Sequence, residues 1–588
     1  PILFYLNGLK EGHGKGRTRL IGPEEMHLSI TDRSMTLLVD IESKSLVPHF
    51  AEIDYLDETK PLVIIQPSKV LVHNRHYAVA VIDATDYVGK KLPVSNYLES
   101  LLRMDDNLPA GERKRGELYS TKVLPVLNEA APFLQNDQRI QLLFDFSTMS
   151  AECQLGNTKG IIQATLNQFE GKEWGGWNES NVRSIKVIDN DCSNREEYTG
   201  RIIHGSIDLP HFLQDTNTRI VELDNDAIRE GRPRGLFTVK FVASVPCSLK
   251  SGSNPVHTII DYGHSFLYSR IQVLNWKYMQ RMSNDHGYIM IAVNWRGMSM
   301  FDLPVLVKAF AGDINIFKSI RDNIIQGYAF KAGVTHFARH GLLDMDFMGP
   351  LKQDEDRPLQ VFFHGISQGA ILGSAYSTLV GPSNLLDGSA VISPASPFSL
   401  IMSRSTIFPD YEKLMLLNLR HKRHVRILIS MVQMYYDSVE AGGLLATTDE
   451  EDRIKTLLIA GIGDPTVTTI ATEVLARSCN ASIFSNNPRS VYGLSTISSS
   501  EDFEDQNQND KDLKCLLNEI LYVEEESSLT SNNIAGSFNG VHLCVPSDPY
   551  IVTQLTEFFD NGNFVNVCPE EGCVRESSWD RLNAGECD

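Results

Sequence analysis

The sequence predicts a doubly wound, mostly parallel α/β sheet that follows a β-rich, sandwich-like N-terminal domain. After about residue 255, near-continuous apolar runs alternate with stretches long enough for crossover helices. Such runs are typical of strands buried on both faces, as in a parallel sheet covered by helices. Before that point, short β-branched and aromatic runs are separated by Pro, Asn, Asp and Gly, which favours a sandwich.

The composition is that of an acidic globular protein. The chain has 588 residues, 42% hydrophobic and 22% charged, so two or three folded domains are expected. The formal net charge of −20 repels phosphate backbones and anionic lipid headgroups, which argues against a nucleic-acid partner. No apolar run approaches the roughly 20 residues that span a bilayer, so we expect no transmembrane segment.

We divide the chain into a β-rich domain at 1–185, a β extension or connector at 186–254, and an α/β domain at 255–588. The strands predicted in the first two segments are 35–41, 61–67, 76–85, 139–146, 199–209 and 235–245. Residues 92–135 interrupt this pattern with partly helical sequence, and 150–185 show no clear periodicity.

The α/β segment at 255–588 carries the buried-looking strands and two insertions. The predicted strands are 257–263, 288–295, 359–365, 388–394 and 456–463. The first insertion, 395–454, is mostly helical in pattern and is placed where a cap over an active site would lie. The second, 498–530, is rich in Ser, Asp, Glu and Asn and is predicted to be an acidic loop, which includes the stretch 501–512.

One short motif predicts nucleophilic chemistry. Gly365-Ile366-Ser367-Gln368-Gly369 matches G-x-S-x-G, follows a predicted buried strand and opens a helix rich in Ala, Gly and Leu. This strand–turn–helix setting is that of a nucleophile elbow, in which glycines avoid a clash with the neighbouring strand and helix. Ser367 then lies at a helix N-terminus, where free N–H groups favour a developing oxyanion.

A serine hydroxyl needs a base, which in this arrangement is a histidine oriented by a carboxylate that precedes it in the chain. Asp464 ends the strand at 456–463, and the carboxyl end of a strand is where an open α/β sheet holds its active residues. The only histidine after residue 464 is His542, which makes it the candidate base. Asp437 and Glu440 lie in helical sequence and are placed less well.

Two other histidines have competing interpretations. His364 precedes the elbow inside the strand, where a packed, hydrogen-bonded role is favoured over that of the base. The oxyanion hole needs two N–H donors, and one is expected from Gln368. The second is expected from Gly263 or His264 in the loop after an earlier strand, although His264 could equally be a structural loop residue.

The cysteines and glycosylation sequons favour an exported protein. Nine cysteines are present, and Cys568 and Cys573 form a CPEEGC segment that could be a small disulfide loop or half of a metal site. No second cysteine pair or histidine pair lies nearby in sequence, so a zinc site is not expected. Asn-x-Ser sequons occur at Asn178 and Asn480. We therefore expect a secreted or extracytoplasmic protein.

Several stretches together resemble a family of large, exported bacterial α/β-hydrolases of the lipase or esterase type. They are YGHSFLYSR, VNWRGMSMFDLP, GISQGAILGSAYSTLV, SRSTIFPDYEKLM, VQMYYDSVEAGG, IAGIGDPTVTTIATEVLAR and FVNVCPEEGC, and they span roughly 255–575. The N-terminal stretches VIIQPSKVL and HYAVAVIDATD are similar to the Ig-like β segments that precede such domains. The resemblance implies a Ser-Asp-His triad of Ser367, Asp464 and His542, and a pairing of Cys568 with Cys573.

The leading hypothesis is an enzyme that cleaves a carboxylic ester through an acyl-enzyme, with no metal or organic cofactor required. Its substrate would be a small-molecule, lipid or polymeric ester. A second hypothesis keeps the triad for a peptidase or an acyltransferase. A third is a non-catalytic binding protein on a hydrolase scaffold, and the intact Ser, Asp and His argue against it.

Overall fold

The computed structural model describes the whole chain apart from a set of short segments. The residues outside the description are 7, 10–18, 55–61, 87, 106, 135–139, 171–180, 195–196, 355, 499–512, 524–537 and 588. Within the described residues, one compact unit contains Pro1–Gln154 and Leu419–Ser430, and a second contains Leu155–Asn418, Met431–Leu529 and Asn533–Asp588. The chain thus passes from one unit to the other at Gln154, whereas the sequence analysis ended the N-terminal domain at residue 185.

The first unit contains two antiparallel sheets. Its strands are β1 (Ile2–Tyr5), β2 (Thr36–Asp40), β3 (Ser45–Leu46), β4 (His49–Asp54), β5 (Leu62–Pro67), β6 (His76–Ile82) and β7 (Ile140–Ser147). One sheet has the order β1-β5-β4 and the other the order β3-β2-β6-β7. Phe4 and Ile65 of the first sheet lie in the same buried cluster as Leu38 and Val81 of the second. The two small sheets therefore share a core.

Helices cover the other face of the four-stranded sheet. They are α1 (Asn96–Arg103), α2 (Ala110–Leu118), a π-helical turn (Tyr119–Val123) and α3 (Leu124–Ala130). Because successive strand residues point to opposite faces, Leu37 and Ala80 turn away from the shared core and pack with Leu101 and Tyr119. The partly helical character predicted for 92–135 is confirmed, and residues 135–139 lie outside the described part.

A long helix crosses the unit boundary in a segment where the sequence showed no clear periodicity. Helix α4 (Ala151–Glu170) has 20 residues and buries Leu155, Ile162 and Leu166. Threonines occupy some of its other buried positions, which obscures the apolar pattern. Thr158 is one of these, and its hydroxyl donates to the carbonyl of Ser438 at 2.7 Å. A buried hydroxyl that is hydrogen-bonded to backbone costs little, so the helix tolerates it.

The second unit is built on one large mixed sheet with helices, and two short strands, Pro255–Val256 and Lys352–Gln353, pair as a separate sheet. Its strands are β8 (Val182–Asp189), β9 (Thr199–His211), β10 (Gly235–Pro246), β11 (Pro255–Val256), β12 (Thr258–Gly263), β13 (Tyr288–Val293), β14 (Lys352–Gln353), β15 (Gln360–Ile366), β16 (Gly388–Ile392), β17 (Lys455–Gly461), β18 (Ser482–Phe484), β19 (Ser495–Ile497), β20 (Cys515–Tyr522) and β21 (Val574–Arg575). Its helices are α5 (Asn225–Arg229), α6 (Cys247–Lys250), α7 (Lys277–His286), α8 (Leu303–Phe310), α9 (Ile316–His340), α10 (Gln368–Val380), α11 (Phe398–Arg404), α12 (Phe408–Leu416), α13 (Arg423–Tyr436), α14 (Ala441–Leu445), α15 (Thr469–Cys479), α16 (Val541–Cys544), α17 (Pro549–Asn561) and α18 (Ser578–Asn583), and α13 begins in the first unit.

The strand order of the large sheet is β19-β18-β20-β17-β16-β15-β12-β13-β10-β9-β8, with β21 beside β20. Every pairing from β19 to β13 is parallel. Strands β10, β9 and β8 continue the sheet in antiparallel fashion. The five strands predicted in the α/β segment correspond to β12, β13, β15, β16 and β17, so the predicted α/β fold is confirmed. The predicted β extension is the antiparallel edge of this same sheet.

Helices bury both faces of the parallel strands, as the continuous apolar runs require. Successive residues of β15 point to opposite faces. Phe362 packs against Phe558 of α17, with ring centroids 5.6 Å apart, and Phe363 packs against Tyr376 of α10 at 5.8 Å. A strand with large apolar side chains on both faces belongs in the middle of a covered sheet.

One strand lies inside a segment that the sequence analysis assigned to the acidic loop at 498–530. Strand β20 (Cys515–Tyr522) is buried and pairs with β17 and β18, so the loop interpretation is wrong for these residues. Its polar residues misled the prediction, but both are satisfied. Asn518 donates to Gln554 at 2.8 Å, and the Glu519 carboxylate accepts from Arg489 at 3.0 Å. The stretch 501–512 itself lies outside the described residues.

The segment between β16 and β17 is helical, as predicted for 395–454. It contains α11, α12, α13 and α14. The turn between α11 and α12 is hydrogen-bonded to the loop after β17, because the Thr406 N–H donates to the carbonyl of Pro465 at 2.9 Å. Pro465 directly follows Asp464, so this part of the insertion contacts the loop that holds the candidate carboxylate.

Four disulfides are present among the nine cysteines. They join Cys192 to Cys247, Cys479 to Cys515, Cys544 to Cys587 and Cys568 to Cys573. The pairing of Cys568 with Cys573, implied by the family resemblance, is confirmed. Within the described part of the chain, no helix is long and apolar enough to cross a bilayer.

Thiol labelling is expected to reflect this pairing. Alkylation of the native, unreduced protein should modify Cys153 alone, because Cys153 is exposed and the other cysteines are in disulfides. Alkylation after reduction and denaturation should modify all nine cysteines. Intact mass spectrometry with peptide mapping measures both. More than one labelled cysteine in the native protein would contradict the pairing.

Candidate active site

The candidate nucleophile lies in a tight turn between β15 and α10. Ser367 has φ 59° and ψ −126°, in the region of positive φ that residues other than glycine rarely adopt. Its N–H donates to the carbonyl of Ile392 at 2.9 Å, and its own carbonyl accepts the N–H groups of Ala370 and Ile371 in the first turn of α10. Hydrogen bonds on both sides of Ser367 therefore stabilise this strained turn. Backbone strain that is stabilised in this way is typical of functional sites.

Close backbone packing explains two glycines of the motif. A Cβ on Gly365 would lie 2.6 Å from the carbonyl oxygen of Gly369, and one on Gly369 would lie 2.1 Å from the carbonyl oxygen of Gly263. The second contact joins the elbow to the loop after β12, which carries the candidate oxyanion donors. The glycines thus allow the elbow and this loop to touch.

Substituting Gly369 with alanine is expected to separate the elbow from the loop after β12, which carries the candidate oxyanion donors. The new Cβ would meet backbone atoms of Gly263 and His264, which cannot rotate away. We expect the free energy of unfolding to fall by about 1–3 kcal/mol from overpacking. We expect kcat for a hydrolysed substrate to fall by about 100-fold from misplacement of the reacting groups. Thermal unfolding and steady-state kinetics measure the two effects.

Gly111 supplies the matched control. It lies in α2, and a Cβ added to it would have no described atom of another part of the chain within 4 Å. Gly111→Ala should leave kcat unchanged and raise the free energy of unfolding by up to about 1 kcal/mol, since alanine favours a helix. If Gly369→Ala and Gly111→Ala changed kcat and the free energy of unfolding to the same extent, the close contact of Gly369 with Gly263 would not matter for the site.

The candidate base and carboxylate are in direct contact. Asp464 follows β17, and His542 lies in α16. Nδ1 of His542 is 2.6 Å from Oδ2 of Asp464. A carboxylate can only accept here, so in the neutral imidazole Nδ1 carries the proton and Nε2 has the lone pair. This is the tautomer that a general base for a serine requires.

The other interactions of Asp464 hold its carboxylate in place. Oδ1 accepts the backbone N–H groups of Thr466 at 2.8 Å and Val467 at 3.0 Å. Oδ2 also accepts the hydroxyl of Ser393 at 2.9 Å. Sequence alone does not single out Ser393, which lies within the predicted strand at 388–394, between the strands that precede Ser367 and Asp464.

Ser367 and Asp464 follow the same edge of the sheet. They come after β15 and β17, which flank β16, so about two strand spacings of 4.8 Å, or roughly 10 Å, separate the strands that carry them. Both residues and His542 are buried, with 6%, 5% and 8% exposure. Among the described residues, the Ser367 hydroxyl has no hydrogen bond to His542. The hydrogen bond between a nucleophile and its base is often long in the absence of substrate.

The side chain of His264 is fully engaged. Its Nδ1 donates to the carbonyl of Ser265 at 2.9 Å, and its Nε2 accepts the N–H of Trp295 at 2.8 Å. Burial lowers the pKa of His264 to about 4, so the ring is neutral. The ring therefore holds the loop, and only the backbone N–H of this residue is a candidate oxyanion donor.

The backbone N–H of Ser265, the residue after His264, already has an acceptor. The Ser265 N–H donates to Oε1 of Gln272 at 2.7 Å, so it does not compete as an oxyanion donor. The Ser265 hydroxyl donates to the carbonyl of Ile366 at 3.3 Å, which ties this loop to the residue before Ser367. Gly263 and His264 thus remain the candidates in this loop, beside Gln368 at the start of α10, where N–H groups lack helical acceptors.

The rejected candidates have other partners. Nδ1 of His364 donates to the carbonyl of Ala390 at 2.8 Å, and its Nε2 lies 3.2 Å from the hydroxyl of Tyr278. Burial lowers the pKa of His364 to about 4. Glu440 accepts the hydroxyl of Ser396 at 3.0 Å and the N–H of Phe398 at 2.5 Å. Burial, with the nearby charge of Asp437, raises the pKa of Glu440 to about 7.

No protein-family model and no curated protein matches the chain. Among solved structures, it is similar to the Pyrococcus horikoshii acylaminoacyl peptidase, with 14% identity over 45% of this chain and 34% of that chain and a TM-score of 0.27. It is also similar to the hyperthermophilic esterase from Pyrobaculum calidifontis, with 11% identity over 61% of this chain and 86% of that chain and a TM-score of 0.29. A third similar structure is the S-formylglutathione hydrolase from Agrobacterium tumefaciens, with 10% identity over 60% of this chain and 95% of that chain and a TM-score of 0.27. The chain thus spans about a third of the peptidase. The fold and the site rest on the strand order and contacts described above.

Proposed function

We propose that the protein is a serine hydrolase that cleaves carboxylic esters through an acyl-enzyme, with Ser367, Asp464 and His542 as its triad. The observation that carries this proposal is the His542–Asp464 contact of 2.6 Å, at the same sheet edge as the positive-φ elbow of Ser367. An ordinary strand–helix turn does not require a serine in a strained backbone conformation. A solvent-exposed loop histidine does not require a buried carboxylate that is fixed in place.

In the proposed reaction, the Ser367 hydroxyl oxygen attacks the ester carbonyl while His542 Nε2 takes its proton. The tetrahedral intermediate collapses, the C–O bond to the alcohol breaks, and His542 returns the proton to the leaving alcohol. Water, deprotonated in turn by His542, then releases the acid from the acyl-enzyme. Asp464 stays ionised, holds the imidazole in the Nδ1–H tautomer and stabilises the imidazolium that forms.

The oxyanion of the intermediate is proposed to bind between two backbone segments. Gln368 supplies one N–H at the start of α10, where the helix dipole also favours negative charge. Gly263 or His264 supplies the other. The packing of Gly369 on Gly263 supports this pairing because it brings the two segments into contact.

The helices α11 and α12 are proposed to form a wall of the substrate site. Tyr411 of α12 packs against Phe266 in the loop after β12, with ring centroids 6.1 Å apart. Tyr411 also packs against Phe310, with ring centroids 4.8 Å apart. The bond from Thr406 to Pro465 attaches the same insertion to the Asp464 loop. An aromatic wall beside the nucleophile suits an apolar acyl or alcohol group.

We also propose that the protein works outside the cytoplasm. The four disulfides support this, since such bonds persist in oxidising compartments and are rare among cytosolic proteins. The acidic surface implied by the net charge of −20 suits a soluble exported enzyme.

The proposal is tested by pre-steady-state hydrolysis of p-nitrophenyl esters from acetate to palmitate, beside the matched p-nitroanilides. An acyl-enzyme predicts a burst of one nitrophenol per chain and an acyl mass on the peptide that contains Ser367. The optimum chain length then sizes the pocket. Cleavage of the anilides at rates equal to the esters would favour the peptidase alternative. An absence of turnover and of any acyl adduct would refute the proposal.

A further inference from the structure

A buried serine lies beside the proposed triad without a part in the reaction as described above. Ser393 directly follows β16, has 2% exposure and adopts φ 54°, a second positive φ at the same edge of the sheet as Ser367. Its N–H donates to the carbonyl of Ile459 at 2.8 Å. The next residue is also fixed, because the Thr472 hydroxyl donates to the Pro394 carbonyl at 2.6 Å.

The Ser393 hydroxyl meets the same carboxylate oxygen as the candidate base. It donates to Oδ2 of Asp464 at 2.9 Å, and Nδ1 of His542 donates to that oxygen at 2.6 Å. Oδ1 is already held by two backbone N–H groups. Among the donors that the structure describes, His542 alone would be left to Oδ2 if Ser393 were removed.

The backbone at this position does not require a serine. Glycine adopts a positive φ without strain, whereas serine at φ 54° carries the steric cost of its Cβ. What the serine adds is a hydroxyl aimed at Asp464. A hydroxyl that only needed a buried acceptor could have used a backbone carbonyl, as Ser374 and Ser383 do.

We propose that Ser393 is a positioning residue that acts through Asp464. This inference rests on the proposed function for its catalytic meaning. Its hydroxyl fixes the direction of Oδ2, so that this oxygen faces Nδ1 of His542, and it shares the negative charge that His542 contacts. The alternative is that Ser393 is a satisfied buried hydroxyl whose removal affects packing alone.

Two substitutions separate the hydroxyl from the backbone. Ser393→Ala and Ser393→Gly both remove the donor, but glycine relieves the positive φ and alanine retains it. If the hydroxyl positions Asp464, both variants should lower kcat for the p-nitrophenyl ester about ten-fold with little change in KM, as expected for loss of a hydrogen bond to a charged group. Wild-type kcat in the Ser393→Gly variant, whose unfolding temperature reports its fold, would overturn the proposal.

A double-mutant cycle tests whether the effect passes through Asp464. In an Asp464→Ala background, Ser393→Gly should cause no further loss of kcat, because the oxygen that the hydroxyl holds is gone. A second ten-fold loss in that background would show that Ser393 acts by another route and would overturn the positioning role.

A readout that needs no turnover keeps the inference separate from the proposed function. The proton on Nδ1 of His542 should give a downfield proton NMR resonance that is absent from His542→Gln. We expect this resonance to shift or broaden in both Ser393 variants, because Oδ2 has lost its second donor. If wild type hydrolyses no ester, the proposed function fails while this measurement still decides the contact. An unchanged resonance in both variants would overturn the inference.

Discussion

Substitution of Ser367 with alanine is expected to abolish ester hydrolysis, with kcat lowered by about 10⁶-fold. The variant lacks the oxygen that forms the bond to the substrate, so the His542–Asp464 pair has no hydroxyl proton to remove. What remains is binding and oxyanion stabilisation by backbone N–H groups, which act on attack by water alone. Steady-state kinetics on the preferred p-nitrophenyl ester measure the loss, and mass spectrometry should show no acyl adduct.

This loss should occur without unfolding. Alanine keeps the Cβ of Ser367 at φ 59°, so the free energy of unfolding should change by no more than about 0.5 kcal/mol. Ser367→Gly should be equally inactive yet more stable by about 1 kcal/mol, since glycine relieves the positive φ. Thermal unfolding compares the two variants.

Ser374 provides the matched control on the same helix. Its hydroxyl donates to the Ala370 carbonyl within α10, and its side chain is buried like that of Ser367. Ser374→Ala should retain kcat within about two-fold, because that bond serves only the helix. Substantial hydrolysis by Ser367→Ala would place the nucleophile elsewhere and refute the triad.

The parallel strands β12, β13, β15, β16 and β17 could be predicted because their sequences are near-continuous apolar runs. Strands β13 and β15 have 6 and 7 residues and are buried on both faces, and a short continuous apolar run is typical of such strands. Strand β20 escaped prediction because Asn518 and Glu519 lie in its middle. Their partners, Gln554 and Arg489, come from distant parts of the chain, and only the folded structure brings them together.

The candidate site was predictable to the extent that it depends on chain order. Ser367 is marked by its glycines, Asp464 by the strand before it, and His542 by being the one histidine that follows Asp464. The contact between His542 and Asp464 bears on that hypothesis, yet its distance could not be derived from sequence. Ser393 has no local signal, because its role depends on the alignment of β16 with β17.

Asp464→Asn is expected to lower kcat by about 10⁴-fold while the protein stays folded. The backbone N–H groups of Thr466 and Val467 both need an acceptor, so the amide oxygen should take the place of Oδ1. The amide NH₂ would then face His542 Nδ1 and could only donate to it. His542 would respond by moving its proton to Nε2, which removes the lone pair that accepts the Ser367 proton.

Asp437→Asn is the matched control for Asp464→Asn. Asp437 accepts a hydrogen bond from Gln433 at 2.7 Å and was the other aspartate considered, so Asp437→Asn should leave kcat within about two-fold of wild type. In Asp464→Asn, the downfield resonance of the His542 Nδ1 proton should vanish, since Nδ1 no longer carries a proton. Retained activity together with a retained resonance would mean that another carboxylate orients His542. Loss of activity with a retained resonance would mean that charge, rather than the tautomer, is what Asp464 contributes.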